Sequence, residues 1–498
     1  MSDYFFKKNL ILVLMVFSVS DVNASKLNLR SSSSAIKINS NASFSIENAA
    51  STSTGKIIIE NNGTIQGEKI TFEDGKVEEE DSKMNISGTF YPERFGRIIL
   101  NEGQKFSGKG GRILHPININ GCNNILEGYF TITSDIIFQD SSSTATFDLS
   151  TRLGGNIRLN GGSLKLNNDL NFVDGKRIFG PGIVMLNGLK LALGAQDLSW
   201  NENMYFDNAS DINVSANTNL ESIWTFSGSS TLEGNKNVFR FGANGSIIVE
   251  RGSSLLIKNV IFRDVSENSI FGMDNAVTIT FQNVKFYQSQ DYTFSIGHFE
   301  ILDKLKICGG HKFTYKSSER STILSNSFCY LDKNVTFSYD PPIADRELIV
   351  FDDDSSALLL NGATIHATLT GMHLKKGTMI IDRVSYFCSE KSDNSDIGIT
   401  LGNDSLLDDF SVQFLGAANL EMTSGSIFYR NVDLSSWVMD CESCVLQIDT
   451  NCRLGLYQSL SLGRGRLDFV GNSILARAEG KNIIGGINAI GRLSYQDL

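Results

Sequence analysis

Apolar residues in this chain fall in short runs that alternate with polar positions. Gly, Asn, Ser or Asp corners break these runs roughly every 6–10 residues. The clearest instance is the pair Leu256-Ile257-Lys258-Asn259-Val260-Ile261-Phe262 and Thr280-Phe281-Gln282-Asn283-Val284-Lys285-Phe286. Asn, Val and Phe recur there with a constant shift of 24 residues. A repeat of that length, made of β-formers and polar turns, predicts one coil of a solenoid lying on the next. Asn259 is then expected to stack on Asn283, and Phe262 on Phe286.

A second pattern extends the prediction along the chain. An apolar run followed by Asn and then Gly appears in Ile157-Arg158-Leu159-Asn160-Gly161, Val184-Met185-Leu186-Asn187-Gly188 and Leu358-Leu359-Leu360-Asn361-Gly362. Copies at Asn61, Asn101, Asn120, Asn160 and Asn187 are separated by 40, 19, 40 and 27 residues, close to one or two coils. Asn-Gly also favours tight hairpins, so an antiparallel β-sandwich or barrel is the alternative. The repeated phrases keep one direction, which favours an all-β, right-handed parallel β-helix with coils of about 20–27 residues. No long window carries a helical period. Some 18–20 coils at about 4.8 Å each are expected from the mature length.

The N-terminus departs from this pattern. Lys7-Lys8 precede the apolar run Leu10–Phe17, and Val22-Asn23-Ala24 places small residues before Ser25. This is the form of a secretory signal peptide over residues 1–24; the run is too short for a membrane span. Residues 25–95 read as N-terminal capping coils with a charged loop around Glu78-Glu79-Glu80-Asp81 and Tyr91-Pro92. The main solenoid is expected over 96–440, with Asp340-Pro341-Pro342 at a corner, and C-terminal coils or a cap over 441–498.

The net charge of −11 and the absence of any Lys/Arg-rich run argue against nucleic acid as a partner. Five His, at 115, 298, 311, 366 and 373, are scattered, and hydrolase elbows, zinc-helix motifs and phosphate loops are missing. No metal or cofactor is expected. The seven Cys, at 122, 308, 329, 388, 441, 444 and 452, leave at least one unpaired within the chain. Cys441, Cys444 and Cys452 lack a fourth ligand for zinc, so in an exported chain a disulfide among them is the better reading. Asp352, Asp353 and Asp354 are the acids that a cation site or glycoside chemistry would use, with Asp408-Asp409 as a second pair. Solvated corners are the plainer reading of both.

Phrases such as Leu186-Asn187-Gly188 and Lys258-Asn259-Val260, over most of residues 57–470, resemble exported bacterial right-handed β-helix proteins. These include pectate-lyase-like folds and autotransporter passenger domains. Pectin-degrading hydrolases of this fold carry Asn-Thr-Asp, Asp-Asp, Gly-His and Arg-x-Lys motifs on neighbouring coils. Here Gly297-His298 and Asp352-Asp353 stand in reverse order and the other two motifs are missing, which counts against catalysis. Autotransporters end in a membrane barrel, whereas Tyr495-Gln496-Asp497-Leu498 still reads as solenoid. The resemblance implies an exported protein of the extracellular space, cell surface or periplasm. Its expected role is structural, adhesive or binding, towards glycans or cell-surface components. A polysaccharide lyase or glycoside hydrolase is the alternative.

Overall fold

The computed structural model describes residues 97–498 apart from 101, 104, 114–115, 151, 194–197, 208, 391–396 and 406–409. Before residue 97 it describes only the backbone of short strands, from Asn28–Leu29 to Thr89–Glu93. The expected signal peptide, His115 and the Asp408-Asp409 pair lie outside the described residues. The chain is all-β, a parallel β-solenoid of about 17 turns. Among the described residues the one helical element is a 3-10 turn, Leu434–Ser436. No helix among them is long and apolar enough to cross a membrane.

Two compact units divide the chain, one formed by residues up to 217 with 222–230, the other by 218–221 with 231–498. In the first, strands of two to nine residues stack in parallel on strands one coil away. Ala145, Leu164, Val184, Phe206 and Phe226 form one inward file, each in register with the next. Alternation explains why they point inward: Thr144–Leu149 buries every second residue, so Ala145, Phe147 and Leu149 share one face.

The second unit repeats this logic with larger side chains. Phe239, Phe262, Phe286, Ile307, Leu331, Leu360, Ile381 and Phe414 form a continuous inward file. Phe262 and Phe286 are fully buried, with ring centroids 5.6 Å apart and edges against faces. Burial of each such ring stabilises by about 1.5–3 kcal/mol. Asn259 and Asn283 take equivalent left-handed bends, with φ of 53° and 54°. Their amides point to different acceptors, Glu233 and Asp303, so these hydrogen bonds leave each bend towards a carboxylate and not towards the other Asn.

Asn-Gly signals mark corners in this fold and not hairpins. Asn160-Gly161 and Asn187-Gly188 have positive φ at both residues, as a tight reversal requires. The strand after the first of these turns, Ser163–Leu166, nevertheless pairs with Thr144–Leu149 in the preceding coil. The local turn is therefore as the sequence predicts, and the pairing partner is supplied by the stack. The charged loop expected near residue 80 instead carries strands Lys76–Glu79, Lys83–Ile86 and Thr89–Glu93. Their parallel neighbours provide the pairing that local propensity does not. Some coils also exceed the expected length: Cys329 pairs with Leu358, and Phe387 with Met422, an offset of 35. The segment with Asp340-Pro341-Pro342 is one such excursion, between Thr336–Tyr339 and Ile349–Phe351.

Candidate functional site

The acids singled out by sequence belong to a corner turn. In Asp353-Asp354-Ser355-Ser356, Asp353 accepts hydrogen bonds from the Ser355 backbone N–H and hydroxyl, and Ser356 N donates to Asp353 O. The same turn recurs in Asp140-Ser141-Ser142-Ser143 and Asp433-Leu434-Ser435-Ser436. The nearby Ser325 hydroxyl, and then hydrogen bonds from Ser355, hold the Asp353 carboxyl below the usual carboxylate range. Asp140 and Asp433 are lowered in the same way by their own serines. Asp352 accepts from the Ser325 hydroxyl of the coil before, and Asp354 is exposed. Asp353 is thus an ionised turn cap, a poor proton donor.

The cysteines occupy the same kind of turn. Cys441-Glu442-Ser443-Cys444 and Asp449-Thr450-Asn451-Cys452 each close by an N–H donated three residues back, at 3.0 Å. Cys444 and Cys452 fill the buried fourth position that Ser356 and Ser143 fill elsewhere. No disulfide joins Cys441, Cys444 and Cys452, where the sequence reading expects one. The reason is positional: Cys441 opens the turn at the surface, while Cys444 donates to Gly416 O and Cys452 to Thr450 O. Among the described residues no three His, Cys, Asp or Glu gather as a metal site.

A different set of groups converges on the outer face of a sheet in the second unit. Tyr292–Phe294, Lys312–Tyr315, Thr336–Tyr339, Thr364–Ala367 and Ser385–Ser389 stack in parallel. Their inward residues form stacked aromatic pairs, Phe313 on Phe337 at 5.8 Å and Tyr315 on Tyr339 at 5.9 Å. The residue between them in each strand lies on the opposite face, giving the file Thr293, Thr314, Ser338, His366 and Cys388, half-buried except for Ser338, which is buried. Ser338 Oγ and His366 Nδ1 are 3.0 Å apart. Burial lowers the His366 pKa; Glu390 and Asp340 oppose this and Lys312 adds to it. Burial likewise raises the Cys388 thiol, with a hydrogen bond from Ser424 opposing and Glu390 reinforcing.

This chemistry is that of neutral hydrogen-bonding groups. A nucleophilic thiolate needs positive surroundings, and Cys388 lies by a neutral imidazole and a carboxylate instead. One register over on the same face, Lys312, Thr336, Thr364, Tyr386, Glu421 and Gln447 form a parallel file. The remaining His sit elsewhere: His298 against Thr278 at 2.8 Å, His311 near Asp291, and His373 between Glu347 and Gly402 O. Sequence reading passed over the His366 file because its members are 21 to 28 residues apart and lie on coils of unequal length.

Comparison of the chain with protein-family models, curated proteins and solved structures finds no match.

Proposed function

We propose that this chain is an exported β-solenoid that presents an outer face for binding glycans at a surface, without catalysing a reaction on them. The observation that carries the reading is the in-register file Thr293, Thr314, Ser338, His366 and Cys388, with its neighbour file of Thr336, Thr364 and Tyr386. Successive coils set these groups at about 4.8 Å steps, so a polymer with repeated hydroxyls meets the half-buried Thr314, His366, Thr336, Thr364 and Tyr386, while buried Ser338 holds the His366 ring from beneath. Lys7-Lys8, the apolar run and Val22-Asn23-Ala24 support export, with a mature chain beginning at Ser25.

The test is retention of the secreted protein on a panel of immobilised glycans, with its N-terminus read by mass spectrometry. A Ser338→Ala/His366→Ala double variant should lose at least ten-fold in affinity while keeping its melting temperature within a few degrees. Retention of no glycan, or an unaffected double variant, sinks the binding reading.

The alternative, a polysaccharide hydrolase or lyase, is favoured by one feature. Burial, reinforced by the charge of Asp449, raises the Glu421 carboxyl on this same face, as a proton donor requires. Polysaccharide cleavage that disappears in Glu421→Gln and survives in Asp353→Ala would establish it.

A further inference from the structure

The second unit carries another outer face whose chemistry is different. Val238–Phe241, Ile261–Val265, Thr278–Gln288, His298–Cys308 and Phe328–Leu331 stack in register there. Arg240 lies directly beside Arg263, and Lys285 directly beside Lys306. Lys304 stands two residues before Lys306 on the same face. Like charges placed directly opposite on neighbouring strands oppose sheet formation. Two such pairs lie in adjacent files of a chain with net charge −11.

The cations are held but not all neutralised. Arg240 pairs with Asp264, and Lys306 with Asp332 at 3.2 Å. Among the described residues Arg263, Lys285 and Lys304 have no carboxylate partner, and Arg263 and Lys285 are exposed. Aromatic rings position two of the three instead, with Arg263 4.8 Å from the Tyr287 ring centroid and Lys304 5.1 Å from Phe328; the paired Lys306 also lies 4.1 Å from Tyr330. A ring restrains a cation without consuming its charge, so it prepares the cation for an anion arriving from solvent.

We infer that this face, with Arg263, Lys285 and Lys304 as its free cations, binds an anionic polysaccharide lying along the stack of coils. The arrangement favours a linear polyanion, because cations recur on consecutive coils in step with the strand spacing. Nucleic-acid bases would need open ring faces, and here Tyr287, Tyr330 and Phe328 each have a cation over one face. The site shares no residue with the Ser338–His366 file, so it stands or falls separately from the glycan-binding reading above.

The experiment measures binding of the mature chain to dextran sulfate, alginate and neutral dextran at low and high salt. Dextran sulfate or alginate should bind more tightly than dextran, and that excess should vanish as salt rises. Preference for dextran sulfate assigns sulfate as the recognised group, and preference for alginate assigns carboxylate. Arg263→Ala/Lys285→Ala/Lys304→Ala should lower polyanion affinity at least ten-fold and flatten its salt dependence. Lys285→Arg/Lys304→Arg should retain binding. The inference is overturned if neither polyanion binds, if the triple alanine variant binds as tightly as the parent, or if single-stranded DNA binds as tightly through the same three residues.

Discussion

Ser356, Val335, Cys444 and Cys452 take one and the same place in this fold. Each closes a corner by donating its N–H to the carbonyl three residues back, and each is buried. The place takes a compact inward side chain, which is why Cys444 and Cys452 fit there as buried packing groups. Cys441 is different, because it opens its turn and faces Ser443 Oγ at 2.9 Å. The Ser443 hydrogen bonds, aided by Arg464, lower its thiol below the ordinary value, while burial pushes Cys308 and Cys329 up to about 12. A lowered pKa means thiolate at lower pH, so iodoacetamide near pH 7.5 should modify Cys441 first. Peptide mass spectrometry of the folded protein checks this; equally fast modification of Cys329 or Cys452 contradicts the burial that places them inside.

At the scale of elements, the 24-residue repeat was legible because the two phrases lie in register on neighbouring coils with the same offset throughout, and their buried Phe residues touch. The outward files were not legible. Recognising Ser338, His366 and Cys388 as neighbours requires coil lengths of 28 and 22, which composition and turn signals do not specify. The Asp352–Asp354 cluster was visible in sequence and its plainer reading, a corner, describes Asp353, since an Asp two residues before a Ser is a good turn cap. For packing, Phe262 is the informative probe: it contacts Phe239, Phe241 and Phe286 from three sides. Phe262→Ala should destabilise the second unit by about 3–5 kcal/mol, read from denaturant unfolding. A loss under about 1 kcal/mol would show that neighbouring coils collapse into the space.

For the whole molecule, acid is the condition to which the fold should respond. Asp332 is desolvated, yet the Lys333 N–H, Asn361 and Lys306 outweigh this and lower its pKa. Glu347 is likewise desolvated and yet lowered by Lys375 and His373, with Lys375 Nζ at 2.6 Å. A carboxyl with a lowered folded pKa contributes stability above its unfolded value, near 4, and loses it as pH falls through the folded value. Glu421, raised by burial, works in the opposite direction. Thermal melts should therefore fall between pH 5 and pH 3, and Glu347→Gln should make that fall shallower. A flat profile over this window contradicts the ion-pair geometry.

Coil length has a kinetic consequence. Closing a coil of 35 residues costs only about 0.5 kcal/mol more in chain entropy than closing one of 21. Long excursions such as the one between Phe387 and Met422 therefore scarcely delay the next strand in reaching its place. Each finished coil offers the following segment a ready edge of unpaired N–H and C=O groups, in a fixed direction and register. Growth of the fold can then keep pace with delivery of the chain, one layer at a time, and a newly inserted loop changes what the surface displays without resetting the template beneath it.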